Sequence, residues 1–230
     1  MEKLYMVDSK NKKYIIKVLI PYLIVFYFFW SVYTIFLEPF IEKGPYLLNL
    51  LLVNFVKLCF WTVPALVVLK YVFREKPLSY IKLSKDKLRG FAYGSLYGVV
   101  IVIYISVTRF LFSGEFNFNP FFGLESWIGG VLLIGFTEEI VFRGFLLQKF
   151  EEIMDSKYAN LLTAVLFLLI HFPKWYMQGN LFVAEFMVNS VLFMLLFSVL
   201  MAVLLKKTNS LWTCILIHSA NNFAMFALGE

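Results

Sequence analysis

Charge is scarce in this chain. Only 16% of its 230 residues are Asp, Glu, Lys or Arg, while 61% are hydrophobic, a balance far outside that of soluble domains, so a water-soluble globular fold is excluded. Histidine and cysteine are scarcer still, at two each. Cys59 and Cys214 both fall in apolar runs, so no extracellular disulfide framework is implied and both read as packing residues. The chain also lacks a Gly-rich phosphate loop, a dinucleotide fingerprint and a His-Glu-x-x-His zinc motif. It shows neither a fixed-period repeat nor the matched Gly/Pro-broken spans that mark many transporters. The net charge is +6, but no basic patch is interleaved with aromatics, which argues against a nucleic-acid partner.

What is present is hydrophobic length. Seven apolar runs, Tyr14–Leu37, Tyr46–Phe73, Phe91–Phe112, Trp127–Phe150, Tyr158–Trp175, Leu181–Leu205 and Leu211–Leu228, each approach the roughly 20 residues that cross a hydrocarbon layer. The expected fold is all-α, a polytopic transmembrane helix bundle in one domain over 1–230, with the lipid bilayer as its solvent. The first run is too long for a signal core and lacks a small-residue cleavage site, so it is expected to be retained. Pro64 should bend the second. Ser113–Glu125, with four Phe, suits an interfacial loop on the outer side, and Arg74–Arg89 a charged connection.

Basic residues give an orientation, because Lys and Arg near span ends stay cytoplasmic. Sixteen of them, including Lys3, Lys10, Lys12, Lys13 and Lys17 at the N-terminus, fall on one side, against Lys43, Arg109 and Lys174 on the other. The N-terminus is therefore expected in the cytoplasm. Usage rich in Lys, Ile, Phe, Asn and Tyr suggests an AT-rich bacterial genome and hence a bacterial cell membrane.

Against this background a few polar groups stand out. Glu138, Glu139 and Arg143 lie inside an apolar run, where a charge costs at least ~2.5–3.5 kcal/mol and marks function by default. Glu139 and Arg143 are four apart and can pair on a helix; Glu138 points about 100° away and is left for chemistry. Both histidines, His171 and His218, are also within apolar runs, and Asn222 shares a helix face with His218. At about 1.5 Å per residue, Glu138 lies roughly 18 Å from Phe150, His171 roughly 20 Å from Tyr158 and His218 roughly 10 Å from Leu211, so all reach mid-membrane levels.

A Glu and a His around a water make a hydrolytic base, and a second His with an Asn can donate to the oxyanion of a tetrahedral intermediate. The same Glu138, His171 and His218 could instead hold a zinc ion with a water in the open position. A third reading is non-enzymatic, a membrane immunity or transport protein that uses the polar cluster for binding.

The Glu-Glu-x-x-x-Arg of Glu138, Glu139 and Arg143, the Phe-x-x-x-His of Phe167 and His171, and the His-x-x-x-Asn of His218 and Asn222 occur in this order on separate spans. Together, with Phe142-Arg143-Gly144 and Leu211-Trp212-Thr213 around them, they resemble the CAAX protease and bacteriocin-processing family of intramembrane proteases, also called the Abi family. The resemblance covers a core of about 127–222. It implies an intramembrane endopeptidase acting on a membrane-associated protein or peptide: Glu138 and His171 activate water, His218 and Asn222 hold the oxyanion, and Glu139 and Arg143 support the site. The family has been described both as metal-dependent and as metal-free glutamate proteases, so zinc stays open. Eight spans are common in it, and Ser113–Glu125 or Lys82–Arg89 could supply the one not counted.

Overall fold

The computed structural model describes residues 9–41, 43–114 and 116–229, with backbone alone at 46 and 47. Lys3, counted for orientation above, lies outside them. All regular structure among the described residues is helical. In chain order the helices are α1 Ser9–Ile41, α2 Leu48–Val72, the single turn α3 Pro77–Tyr80, α4 Lys87–Ser113, α5 (123–151), α6 Ser156–Met177, α7 Ala184–Thr208 and α8 Leu211–Ala227. Five of them, α1, α2, α4, α6 and α7, are long and apolar enough to cross a membrane. The two other expected spans are α5, whose apolar run is interrupted by Glu138, Glu139 and Arg143, and α8, which is 17 residues long and carries His218 and Asn222. Of the two segments suggested for an eighth span, Ser113–Glu125 is irregular over 116–122, and Lys82–Arg89 holds no helix before α4 starts at Lys87. Glycine, proline and left-handed residues at Arg74, Lys82 and Asp86 break both segments into turns.

Several helices widen locally into π turns, at Tyr33–Leu37, Leu58–Thr62, Val68–Val72, Ser126–Leu133 and Ile140–Leu146. The turn at Leu58–Thr62 immediately precedes Pro64, whose missing N–H interrupts the helical ladder.

The described residues form two compact units, and the boundary falls within α5 and α7. The first comprises 9–41 and 146–200. In it α1 is tied to α6 by side chains that satisfy carbonyls near the end of the α6 ladder: the Tyr27 hydroxyl donates to Leu166 O at 2.5 Å and Trp30 Nε1 to Ile170 O at 2.8 Å. Lys174 Nζ pairs with Glu38 Oε2 at 3.4 Å.

The second unit comprises 43–114, 116–145 and 201–229. Its backbone is set by close approach of α4, α5 and α8. Gly90, Gly94 and Gly98 form one small-residue stripe on α4, and the space a Cβ would need is taken by Ser210, just before α8, and by Leu216 and Ala220 of α8. Such stripes let membrane helices pack by van der Waals contact where no hydrophobic force drives them together. The opposite face of α4, with Leu96, Val99, Ile103 and Tyr104, is exposed, as a lipid-facing surface should be. The connection before α4 then locks the start of α8. Lys82 O accepts the Leu211 N–H at 3.1 Å and Leu83 O the Trp212 indole N–H at 3.0 Å, satisfying a helix start that has no side-chain cap. Ile81, fully buried, fills the groove that Gly144 leaves open on α5.

These contacts predict that Gly94→Val destabilises the fold. A Cβ there would sit 2.8 Å from Leu216 Cδ1, and overpacking of this kind costs about 1–3 kcal/mol. Thermal unfolding in detergent should show a lower midpoint than wild type, whereas Leu96→Val on the exposed face should leave it unchanged.

Candidate active site

Glu138 and Glu139 end a regular stretch of α5, Ile134–Glu139, and the π turn Ile140–Leu146 begins directly after them. Such widenings recur at functional sites because they re-aim side chains without breaking the helix. Opposite lies α8. The two helices meet at Gly135, where a Cβ would come within 2.5 Å of Ser219 Oγ, and this approach brings the polar groups of both within reach of each other.

Glu139 is the centre of the arrangement. It is fully buried, and its Oε1 accepts from Arg143 Nη1 at 3.0 Å and from His218 Nδ1 at 2.7 Å. Arg143 is fully buried too. A carboxylate only accepts, so Nδ1 of His218 carries a hydrogen, and the ring's other nitrogen is Nε2. That nitrogen faces Glu138 Oε2 at 3.8 Å, beyond a direct hydrogen bond. Glu138 Oε2 is buried and has no hydrogen-bond partner. One carboxylate is thus committed to holding a guanidinium and an imidazole, and the other presents an oxygen to that imidazole.

Asn222, one turn beyond His218, donates from Nδ2 to Gly130 O at 2.9 Å and accepts at Oδ1 from Asn221 Nδ2 at 3.3 Å. Its carboxamide keeps a second N–H. The second unit therefore brings together Glu138, Glu139, Arg143 and His218, with Asn222 one turn along α8 from His218 and bonded at Gly130.

His171 belongs to the first unit. It stands just before the short helical segment Phe172–Met177 at the end of α6. Its Nδ1 is 3.0 Å from Phe167 O, and its ring packs against Phe167 and Trp175. A carbonyl only accepts, so Nδ1 bears a hydrogen, and in the neutral ring Nε2 then carries the lone pair, which is the tautomer a general base requires.

Zinc needs three protein ligands at a catalytic site. Among the described residues no three His, Cys, Asp or Glu side chains are grouped to hold a metal ion. Within the second unit Glu138 and His218 face each other, and Glu139 Oε1 is already shared by Arg143 and His218.

Asn221 and Gly135 had been given no part in the sequence reading. The Asn221-Asn222 doublet one turn after an intramembrane His was the available signal for the first. Nothing in the sequence distinguishes Gly135 from other glycines.

Comparison with known proteins bears on this geometry. Residues 120–224 match the family model for type II CAAX prenyl endopeptidases, Rce1-like, a range that contains every residue named above as a site candidate. The match supports a CAAX-type intramembrane protease at the level of the family. No curated protein and no solved structure matches the chain.

The buried pair makes a prediction. Arg143→Ala would leave Glu139 charged, buried and short of its strongest partner, at a cost of about 3–5 kcal/mol. Yield and thermal midpoint should both fall, together with any activity. An Arg143→Ala protein of wild-type stability that had lost activity would instead move Arg143 into the chemistry.

Proposed function

We propose, on the premise that residues 120–224 match the type II CAAX prenyl endopeptidase family, that this chain is an intramembrane endopeptidase. It hydrolyses a peptide bond in a membrane-associated protein or peptide, from the cell membrane of a bacterium, with its N-terminus in the cytoplasm. The observation that carries the reading is the buried Glu138 oxygen facing an imidazole 3.8 Å away whose other nitrogen is anchored by Glu139. A binding or transport role needs polar groups but not a second carboxylate dedicated to orienting a histidine. A hydrolase needs both.

In this reaction Glu138 and His171 are the residues assigned to water activation, and Glu138 takes a proton from water as the water oxygen attacks the scissile carbonyl carbon. The resulting oxyanion accepts hydrogen bonds from His218 Nε2 and Asn222 Nδ2. To donate from Nε2 as well as Nδ1 the His218 ring must carry both hydrogens, and the Glu139 carboxylate 2.7 Å away balances that charge, with Arg143 holding Glu139 in place. Collapse of the intermediate breaks the C–N bond, and Glu138 returns its proton to the leaving amine. Water and peptide are consumed; a carboxylic acid and an amine result, which ionise to carboxylate and ammonium by passing the remaining water proton from one to the other.

Glu138→Ala and His171→Ala should each reduce cleavage by about two to four orders of magnitude while the protein stays folded in detergent. Turnover near wild type in either variant would remove that residue from water activation, and a function that survived both would point to binding rather than hydrolysis.

Asn222→Ala should lower kcat far more than it raises KM, by about 2.7–4 kcal/mol of transition-state stabilisation. Elemental analysis completes the test. Stoichiometric zinc that is lost with activity in His218→Ala, or activity abolished by chelator and restored by zinc, would replace the oxyanion role of His218 with a metal-ligand one.

A further inference from the structure

Asn221 is a buried polar residue of α8 that the proposed reaction leaves unused. It is only 8% exposed and lies three residues beyond His218, about 4.5 Å along the helix axis. Its Nδ2 donates to Asn222 Oδ1, and Asn222 Nδ2 donates to Gly130 O. The direction of this short chain is forced from one end. A backbone carbonyl only accepts, so Asn222 must present its nitrogen to Gly130; its oxygen is then left to accept, so Asn221 must present its nitrogen to Asn222. Asn221 Oδ1 is consequently the outer end of the chain, and it is a buried acceptor with no hydrogen-bond partner.

Such an oxygen is costly in apolar surroundings, and a substrate of the proposed kind carries the group that would satisfy it. A peptide drawn out for cleavage within a membrane has lost the internal hydrogen bonds of a helix, and with no bulk water every backbone N–H must find a partner on the protein. We infer that Asn221 Oδ1 accepts a backbone N–H of the substrate next to the scissile bond, which makes Asn221 a peptide-binding residue. The inference rests on the hydrolytic reading above and deepens it. The same chain couples binding to chemistry, because hydrogen-bonded amides polarise one another in series. A peptide N–H donated into Asn221 strengthens Asn222 as a donor to the oxyanion.

The test replaces single substrate N–H groups by ester oxygens, which removes one donor at a time. Purified full-length protein in detergent is given a quenched-fluorescence peptide ending in a farnesylated Cys-aliphatic-aliphatic-X sequence, its unlipidated counterpart, and single-ester analogues of whichever is cleaved. In wild type, one ester position beside the scissile bond should lower kcat/KM about three- to tenfold more than the others. In Asn221→Leu the amide substrate should lose a similar factor and the ester at that position nothing further, so that the two changes fail to add. If Asn221→Leu does not purify, Asn221→Ala serves, and the wild-type profile is informative without either. A flat ester profile in wild type, or a position-specific loss that persists in the Asn221 variants, overturns the inference while leaving hydrolysis standing. If neither peptide is cleaved by wild type, the hydrolytic reading falls and this inference falls with it.

Discussion

The constraint on which the second unit depends is the burial of the Glu139 carboxylate among apolar helices. Its Oε1 is shared between Arg143 and His218, so an anion without water is held by one guanidinium on its own helix and one imidazole from α8. Such an arrangement is weak as a source of stability, since desolvation offsets much of the attraction, but it is demanding in geometry. A 2.7 Å contact between two helices tolerates little error in their separation. The packing around it is therefore explained by what that distance requires.

Small residues supply the separation. Gly135 lets α5 approach α8 at Ser219, Gly144 accepts Ile81 at the other end of the same helix, and the Gly90, Gly94 and Gly98 stripe seats α4 against the far side of α8. The connection from Arg74 to Arg89 then holds the first residues of α8 through Lys82 O and Leu83 O. Helix α8 is thus located by backbone contact along α4, by the strap at its start and by the Glu139 hydrogen bond at mid-length. His218 and Asn222 inherit their positions from these three restraints, which is what preorganised donors need in order to stabilise charge as it develops.

The polar groups on α5 divide the labour by angular position. Adjacent residues of a helix point about 100° apart, so Glu139 can be consumed by structure while Glu138 keeps a buried oxygen directed at the imidazole. The π turn that follows sits where Arg143 must fold back onto Glu139, and the pair still closes at 3.0 Å. Structure and chemistry are carried by neighbouring residues of identical type, told apart by direction alone.

Much of this was legible in the residues themselves. Apolar length determined that the chain is a helical membrane protein, because in hydrocarbon only internally bonded segments survive. Four-residue spacing determined that Glu139 can reach Arg143 and that His218 and Asn222 share a face, because helical geometry is local. Spans long enough to cross were recognisable except for their interruptions: π turns, and the irregular segment after α4, arise from neighbours that a one-dimensional pattern does not contain. Tertiary structure alone decided that His218 is anchored by Glu139, that Gly135 lets the two helices approach closely enough for this contact, and that Asn221 ends a hydrogen-bond chain running to Gly130. Each of those joins residues about 80 or more positions apart or depends on which way an amide is turned. Spacing along a chain carries periodicity, and periodicity says which face a side chain occupies, but the partner across that face is chosen only when two helices pack.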